Sequence, residues 1–101
     1  MRRAMAKLTK AKRGKNRWIG LSIRDSDISR TELSHLLEAR LQGKGWKLFD
    51  LQKHENYKVA IIKTTLEDSS EVRDRINSTD GLSTITTSGK IRLVRARITD
   101  E

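Results

Sequence analysis

The chain has 101 residues, enough for one domain built on one hydrophobic core. Its 22 Lys and Arg against 13 Asp and Glu leave a formal charge of +9, a balance that points to a polyanionic partner, nucleic acid first. Cysteine is absent, which excludes disulfides, thiolate zinc sites and cysteine nucleophiles. No apolar run reaches the ~20 residues of a membrane span, and the basic start does not read as a secretory signal, so a soluble, cytoplasmic protein is expected.

The charge is placed unevenly. Residues 1–17 hold Arg2, Arg3, Lys7, Lys10, Lys12, Arg13, Lys15 and Arg17 with no acid, a segment of +8 that leaves only +1 for the rest of the chain. Such a segment repels itself and lacks apolar periodicity. Residues 1–15 are therefore expected to form a disordered basic arm that orders on a phosphate backbone, followed by a single domain over 16–101. Met5 and Leu8 make too narrow an apolar stripe for a membrane-surface helix.

From Arg17 to Arg24, Ile19, Leu21 and Ile23 alternate with Trp18, Gly20, Ser22 and Arg24, the pattern of a half-buried strand. A helix start follows, with Ser29 as N-cap, Glu32 as its reciprocal partner and Ile28 placed to staple onto Leu33. Leu33, Leu36, Leu37 and Leu41 form its stripe, and Gly43 and Gly45 end it. Residues 46–53 and 58–66 read as two strands joined through His54-Glu55-Asn56-Tyr57. Leu48, Phe49 and Leu51 leave the inward parity of the first open, while Val59-Ala60-Ile61-Ile62 is apolar on both faces, as a central strand is. A second helix is expected from Asp68 or Ser69, with Glu71 completing its cap and Val72 and Ile76 on one side, ending at Asp80-Gly81. Residues 83–98 read as a last strand with a change of parity at Leu93-Val94, suggesting a bulge or a strand end there.

This order is β-α-β-β-α-β, which predicts an α+β, ferredoxin-like (RRM-like) antiparallel sheet with both helices on one face. The other face is then open, and many proteins of this class meet RNA there. Trp18, Ser22 and Arg24 from the first strand and Lys90 and Arg92 from the last are expected on it, an aromatic beside basic side chains suited to stacking and phosphate binding. One Phe, one Tyr and two Trp are too few for base-by-base reading through stacked rings, so backbone and shape contacts are favoured.

Catalytic arrangements are poorly supported. His35 and His54 have no spacing that suggests a shared metal, and Asp25 and Asp27 suit loop turning better than cation binding. Ser88-Gly89 has neither a histidine base nor a Gly-rich cradle beside it.

Five segments in order resemble the ribonuclease P protein component 2 family, the small ferredoxin-like subunit of archaeal and eukaryotic ribonuclease P. They are Lys15-Asn16-Arg17-Trp18-Ile19, Ile28-Ser29-Arg30-Thr31-Glu32-Leu33, Val59-Ala60-Ile61-Ile62-Lys63, Glu71-Val72-Arg73 and Thr87-Ser88-Gly89-Lys90-Ile91-Arg92. The chain has Lys90 where the family tends to have threonine, and residues 29–44 hold a shorter helical stretch than is usual there. The resemblance implies a subunit that is not catalytic alone, has no cofactor or metal of its own, and supports 5′-end maturation of precursor tRNA by stabilising a catalytic RNA. It implies structured RNA and a second ribonuclease P protein as partners, the latter on the helix surface or added to a sheet edge, and no membrane. Arg17, Trp18, Lys90 and Arg92 become the expected RNA contacts, with Lys7, Lys10, Lys12, Arg13 and Lys15 as phosphate anchors.

Another RNA-binding ribosomal or assembly protein would share the fold and charge. An acylphosphatase-like enzyme would need an anion cradle where Arg24-Asp25-Ser26-Asp27 stands. A small-molecule module would show ligand-dependent stabilisation and little salt dependence. On the RNA-binding reading, affinity for structured RNA falls steeply with salt, and deleting residues 1–15 weakens binding and flattens the plot of log affinity against log salt. A filter-binding titration at several salt concentrations checks this, and an unchanged slope removes the arm from binding.

Overall fold

The computed structural model describes residues 15–99, in the order β1 (Asn16–Ile23), α1 (Arg30–Arg40), β2 (Trp46–His54), β3 (Tyr57–Thr65), α2 (Leu66–Asn77), β4 (Leu82–Ser88) and α3 (Ile91–Thr99). The four strands form one antiparallel sheet in the order β2-β3-β1-β4, an α+β arrangement compatible with a ferredoxin-like fold. Residues 1–14, and with them most of the expected arm, lie outside the described residues.

Local chemistry sets the first helix as the sequence predicts. Ser29 Oγ accepts from the Glu32 N–H at 3.1 Å and Glu32 Oε1 accepts from the Ser29 N–H at 2.9 Å, so two donors at the helix start are satisfied reciprocally. Leu33, Leu37 and Leu41 are buried beneath it. Gly43 then takes φ +82°, a left-handed conformation that a Cβ disfavours. The β2–β3 turn is tighter than the four residues expected, with only Glu55 and Asn56 between the strands. A register shift between Leu48 and Asp50 settles the parity of β2, since the extra residue there, Phe49, lets Leu48 and Leu51 both pack toward the helices.

The second helix begins earlier than Asp68 or Ser69. Thr65 is its N-cap, accepting from the Asp68 N–H at 3.1 Å, and the Asp68 carboxylate is occupied by the Gly45 N–H, also at 3.1 Å. The expected capping residue thus holds the α1–β2 loop instead. Its partner Glu71 bonds Lys44 at 2.8 Å and Arg75 at 2.6 Å, and these two cations hold its carboxyl below the usual carboxylate range.

The larger correction concerns the last strand. It ends at Ser88, whose Oγ accepts from the Lys90 N–H at 3.2 Å, and the chain then enters α3. Ile91, Val94 and Ile98 are spaced by three and four residues, a helical stripe, and this stripe accounts for the change of parity at Leu93-Val94 that reads as a bulge in a strand.

Consequently both sheet faces are covered. Ile19, Leu21, Ile23, Ala60 and Ile62 pack beneath α1 and α2 with Leu33, Leu37, Val72 and Ile76. On the opposite face, expected to be open, Val94 and Ile98 of α3 pack on Val59 and Ile61. Gly20 permits this approach, because a Cβ there would lie 2.9 Å from Ile98 Cδ1 and 3.0 Å from Val94 Cγ1. The sheet edges also carry side-chain hydrogen bonds. Arg30 donates to the carbonyls of Leu48 at 2.9 Å and Phe49 at 3.4 Å on β2, while on β4 Asn77 accepts from the Thr84 N–H at 2.9 Å and Arg97 donates to the Thr87 carbonyl at 3.4 Å.

Two outcomes follow. Gly20→Val forces α3 outward and lowers stability by about 1–3 kcal/mol, read from urea unfolding. Glu71 has a lower pKa folded than unfolded, so its contacts stabilise above the ordinary carboxylate range and are lost as pH falls through the depressed value. The urea midpoint of Glu71→Gln therefore lies below that of the wild type at neutral pH, and the two converge in acid.

Candidate nucleic-acid interface

Helix α3 has nine residues and is about 13 Å long, whereas β1 with eight residues runs about 26 Å. The helix therefore covers only part of its face, and Trp18, near the Asn16 end of β1, packs against the cluster of Val94 and Ile98. There the strand register sets Ser88, Trp18, Lys63 and Lys47 side by side across β4, β1, β3 and β2. Trp18 and Lys63 are half-buried and Lys47 is exposed.

The bulge in β2 turns Phe49 onto this face. Its ring meets that of Trp18 edge to face, with centroids 4.7 Å apart and planes at 79°. Lys63 Nζ lies 5.8 Å from the Trp18 ring centroid and Lys47 Nζ lies 5.6 Å from that of Phe49. Lys47 and Lys63 are also direct cross-strand neighbours, a like-charged pairing that works against the sheet. Neither lysine forms an ion pair among the described residues. A hollow with Asn16, Lys47, Lys63 and Thr65 among its walls lies beside them.

Of the residues singled out in the sequence, Trp18 lies on the face expected. Arg17, one position out of phase, donates to the Asn16 carbonyl at 2.9 Å and lies beside Gly89, whose added Cβ would come within 3.3 Å of it. Lys15 is exposed at the start of β1, its carbonyl accepting from the Leu66 N–H at 3.2 Å. Lys90 and Arg92 are not strand residues. Lys90 is exposed in the turn before α3, and Arg92 points outward from that helix. Arg24 does not join the group, since it sits at the far end of β1, about 20 Å along the strand from Trp18. It faces Asp80 there at 3.5 Å, and Ser22 is bonded to Ser83 at 2.9 Å. Lys7, Lys10, Lys12 and Arg13 lie outside the described residues.

Lys47, Phe49 and Lys63 escape sequence reasoning because the bulge and the register that assemble them leave no period in the chain. The arginines of α3 escape it for another reason, the helix itself having read as strand. Arg95 bonds Asp50 at 2.8 and 3.2 Å, which raises the arginine pKa, and Arg97 bonds Thr86 Oγ1 at 2.8 Å, so the two clamp α3 to β2 and β4. With Arg92 they give this helix three cations and no acid. On the other side of the sheet α2 carries Glu67, Asp68, Glu71 and Asp74 against Arg73 and Arg75. The two helical layers thus differ in the sign of their charge.

Elsewhere, Asp25 Oδ1 accepts from the Asp27 N–H at 3.0 Å, a loop-turning contact. His54 packs against the Tyr57 ring with centroids 5.6 Å apart. Among the described residues no group of three or more His, Cys, Asp or Glu could hold a metal ion, and no helix is long and apolar enough to cross a membrane. No protein-family model matches the chain, and no curated protein matches it.

Lys47→Glu replaces a repulsive cross-strand pair with an attractive one. It is expected to raise stability in low salt by about 0.2–1 kcal/mol, a gain that urea unfolding shows shrinking as salt screens the pair.

Proposed function

We propose that this protein is an RNA-binding subunit of ribonuclease P that supports 5′-end maturation of precursor tRNA by stabilising the folded catalytic RNA, without catalysis of its own. The observation that carries the reading is the row Trp18, Lys63 and Lys47, whose cations lack acidic partners among the described residues and which lies at the end of the sheet where β1 begins, just after Lys15 in the chain. Uncompensated cations on one face are what a polyphosphate backbone neutralises, with release of its counterions. The family within RNA-binding proteins rests on the ordered motif series from Lys15 to Arg92, and the sheet order with α1 and α2 on one face supports a ferredoxin-like assignment.

In this role the protein neutralises and positions phosphates in the cytoplasm, while RNA and its metal ions break the bond. Lys15, Arg17, Lys47, Lys63, Lys90 and Arg92 contact the RNA, and the residues before Lys15 extend the contact along its backbone. The second protein subunit docks on α1 and α2. Edge addition is disfavoured by the hydrogen bonds of Arg30, Asn77 and Arg97 at the sheet edges, and the acids of α2 keep that layer away from RNA.

Adding the protein to a reconstituted ribonuclease P lacking this component is expected to restore precursor tRNA cleavage, and a particle indifferent to it overturns the assignment. Arg92→Ala weakens binding to structured RNA while its unfolding free energy in urea stays within about 0.5 kcal/mol of wild type, the range of a surface substitution. Arg24→Ala, at the far end of β1, leaves RNA affinity unchanged in the same assay.

A further inference from the structure

Resting on the RNA-binding reading, we propose that Trp18 and Phe49 form a stacking platform for one unpaired RNA base, with Lys63 and Lys47 holding the adjoining phosphates. Both rings are half-buried and meet edge to face, and each has a lysine ammonium within 6 Å of its centroid that a base could displace toward its phosphate. Aromatic surface flanked by cations is the combination that binds single-stranded nucleic acid, because every base has a π-face and every nucleotide a phosphate.

The platform accepts one base and no run of bases. The chain has only four aromatic residues, and the remaining two lie elsewhere: Trp46 packs against the core under α1 and α2, and Tyr57 sits with His54 at the other end of the sheet. An uninterrupted A-form helix keeps its bases stacked within and presents only phosphates and groove edges, so it reaches the lysines but not the rings. The site therefore selects a loop or bulge within structured RNA, fixing where the non-specific cationic contacts are laid down.

The test uses Trp46→Phe, which leaves Trp18 as the sole tryptophan. Its fluorescence and affinity are measured against a stem-loop RNA and a blunt-ended RNA duplex with the same number of phosphates. The stem-loop is expected to quench Trp18 and the duplex to leave it unchanged. In that background Trp18→Leu weakens stem-loop binding about tenfold and duplex binding less than about twofold, and Trp18→Tyr restores the preference. Phe49→Leu, outside the buried core, lowers the preference in the same direction and guards against unfolding of the Trp18 variants, which circular dichroism checks. Lys63→Gln flattens the salt dependence for both RNAs.

Equal losses on the two RNAs, or an unquenched Trp18 in a bound complex, overturn the platform and leave the RNA-binding reading standing. Failure to bind either RNA in dilute salt overturns both.

Discussion

Strand β3 imposes the constraint on which the rest of the molecule depends. Val59, Ala60, Ile61 and Ile62 are consecutive and all buried, so apolar side chains leave the sheet on both sides and each side needs a cover. Two helices supply it on one face with the larger share of the core. On the other, a single short helix seated over Gly20 covers Val59 and Ile61. The candidate site lies on that face toward the Asn16 end, where Trp18 packs against the helix's cluster.

Two small backbone devices make this possible in a chain with few aromatic residues. The first is Gly20, which lets α3 sit low enough for Val94 and Ile98 to be buried. The second is the single extra residue in β2. Without a bulge, alternation would give Leu48 and Leu51 opposite faces, and one apolar side chain would be lost from the core. With it, both leucines stay inside and Phe49 is turned out against Trp18. Bulges often re-aim a side chain in this way beside a functional surface.

The charges are arranged with a similar asymmetry. Lys44 is neutralised by Asp68 and Glu71, and Arg95 by Asp50, contacts that hold elements together. Lys47 and Lys63 face each other across adjacent strands with no acid in an ion pair among the described residues, an arrangement that folding alone disfavours. The proposed RNA ligand would relieve this repulsion. Side-chain hydrogen bonds along β2 and β4 meanwhile make pairing with another chain's strand less accessible.

Local signals sufficed in most places where one residue satisfied its neighbour, the Thr65 cap of α2 being the exception. The capping box at Ser29 and Glu32, the turn at Gly43, the alternation of Ile19, Leu21 and Ile23, and the two-faced β3 were all legible, because their causes lie within a few residues. So were the concentration of positive charge before residue 18 and the placing of Trp18 on the face away from the two central helices. Tertiary structure decided the rest. Residues 90–98 alternate well enough to be a strand, and only an apolar strip on the sheet, waiting for Ile91, Val94 and Ile98, makes the helical spacing win. The meeting of Trp18, Phe49, Lys47 and Lys63 depends on a bulge and on register across three strands. Residues at those separations share no local energy, so their assembly is written in packing and in no single segment of the chain.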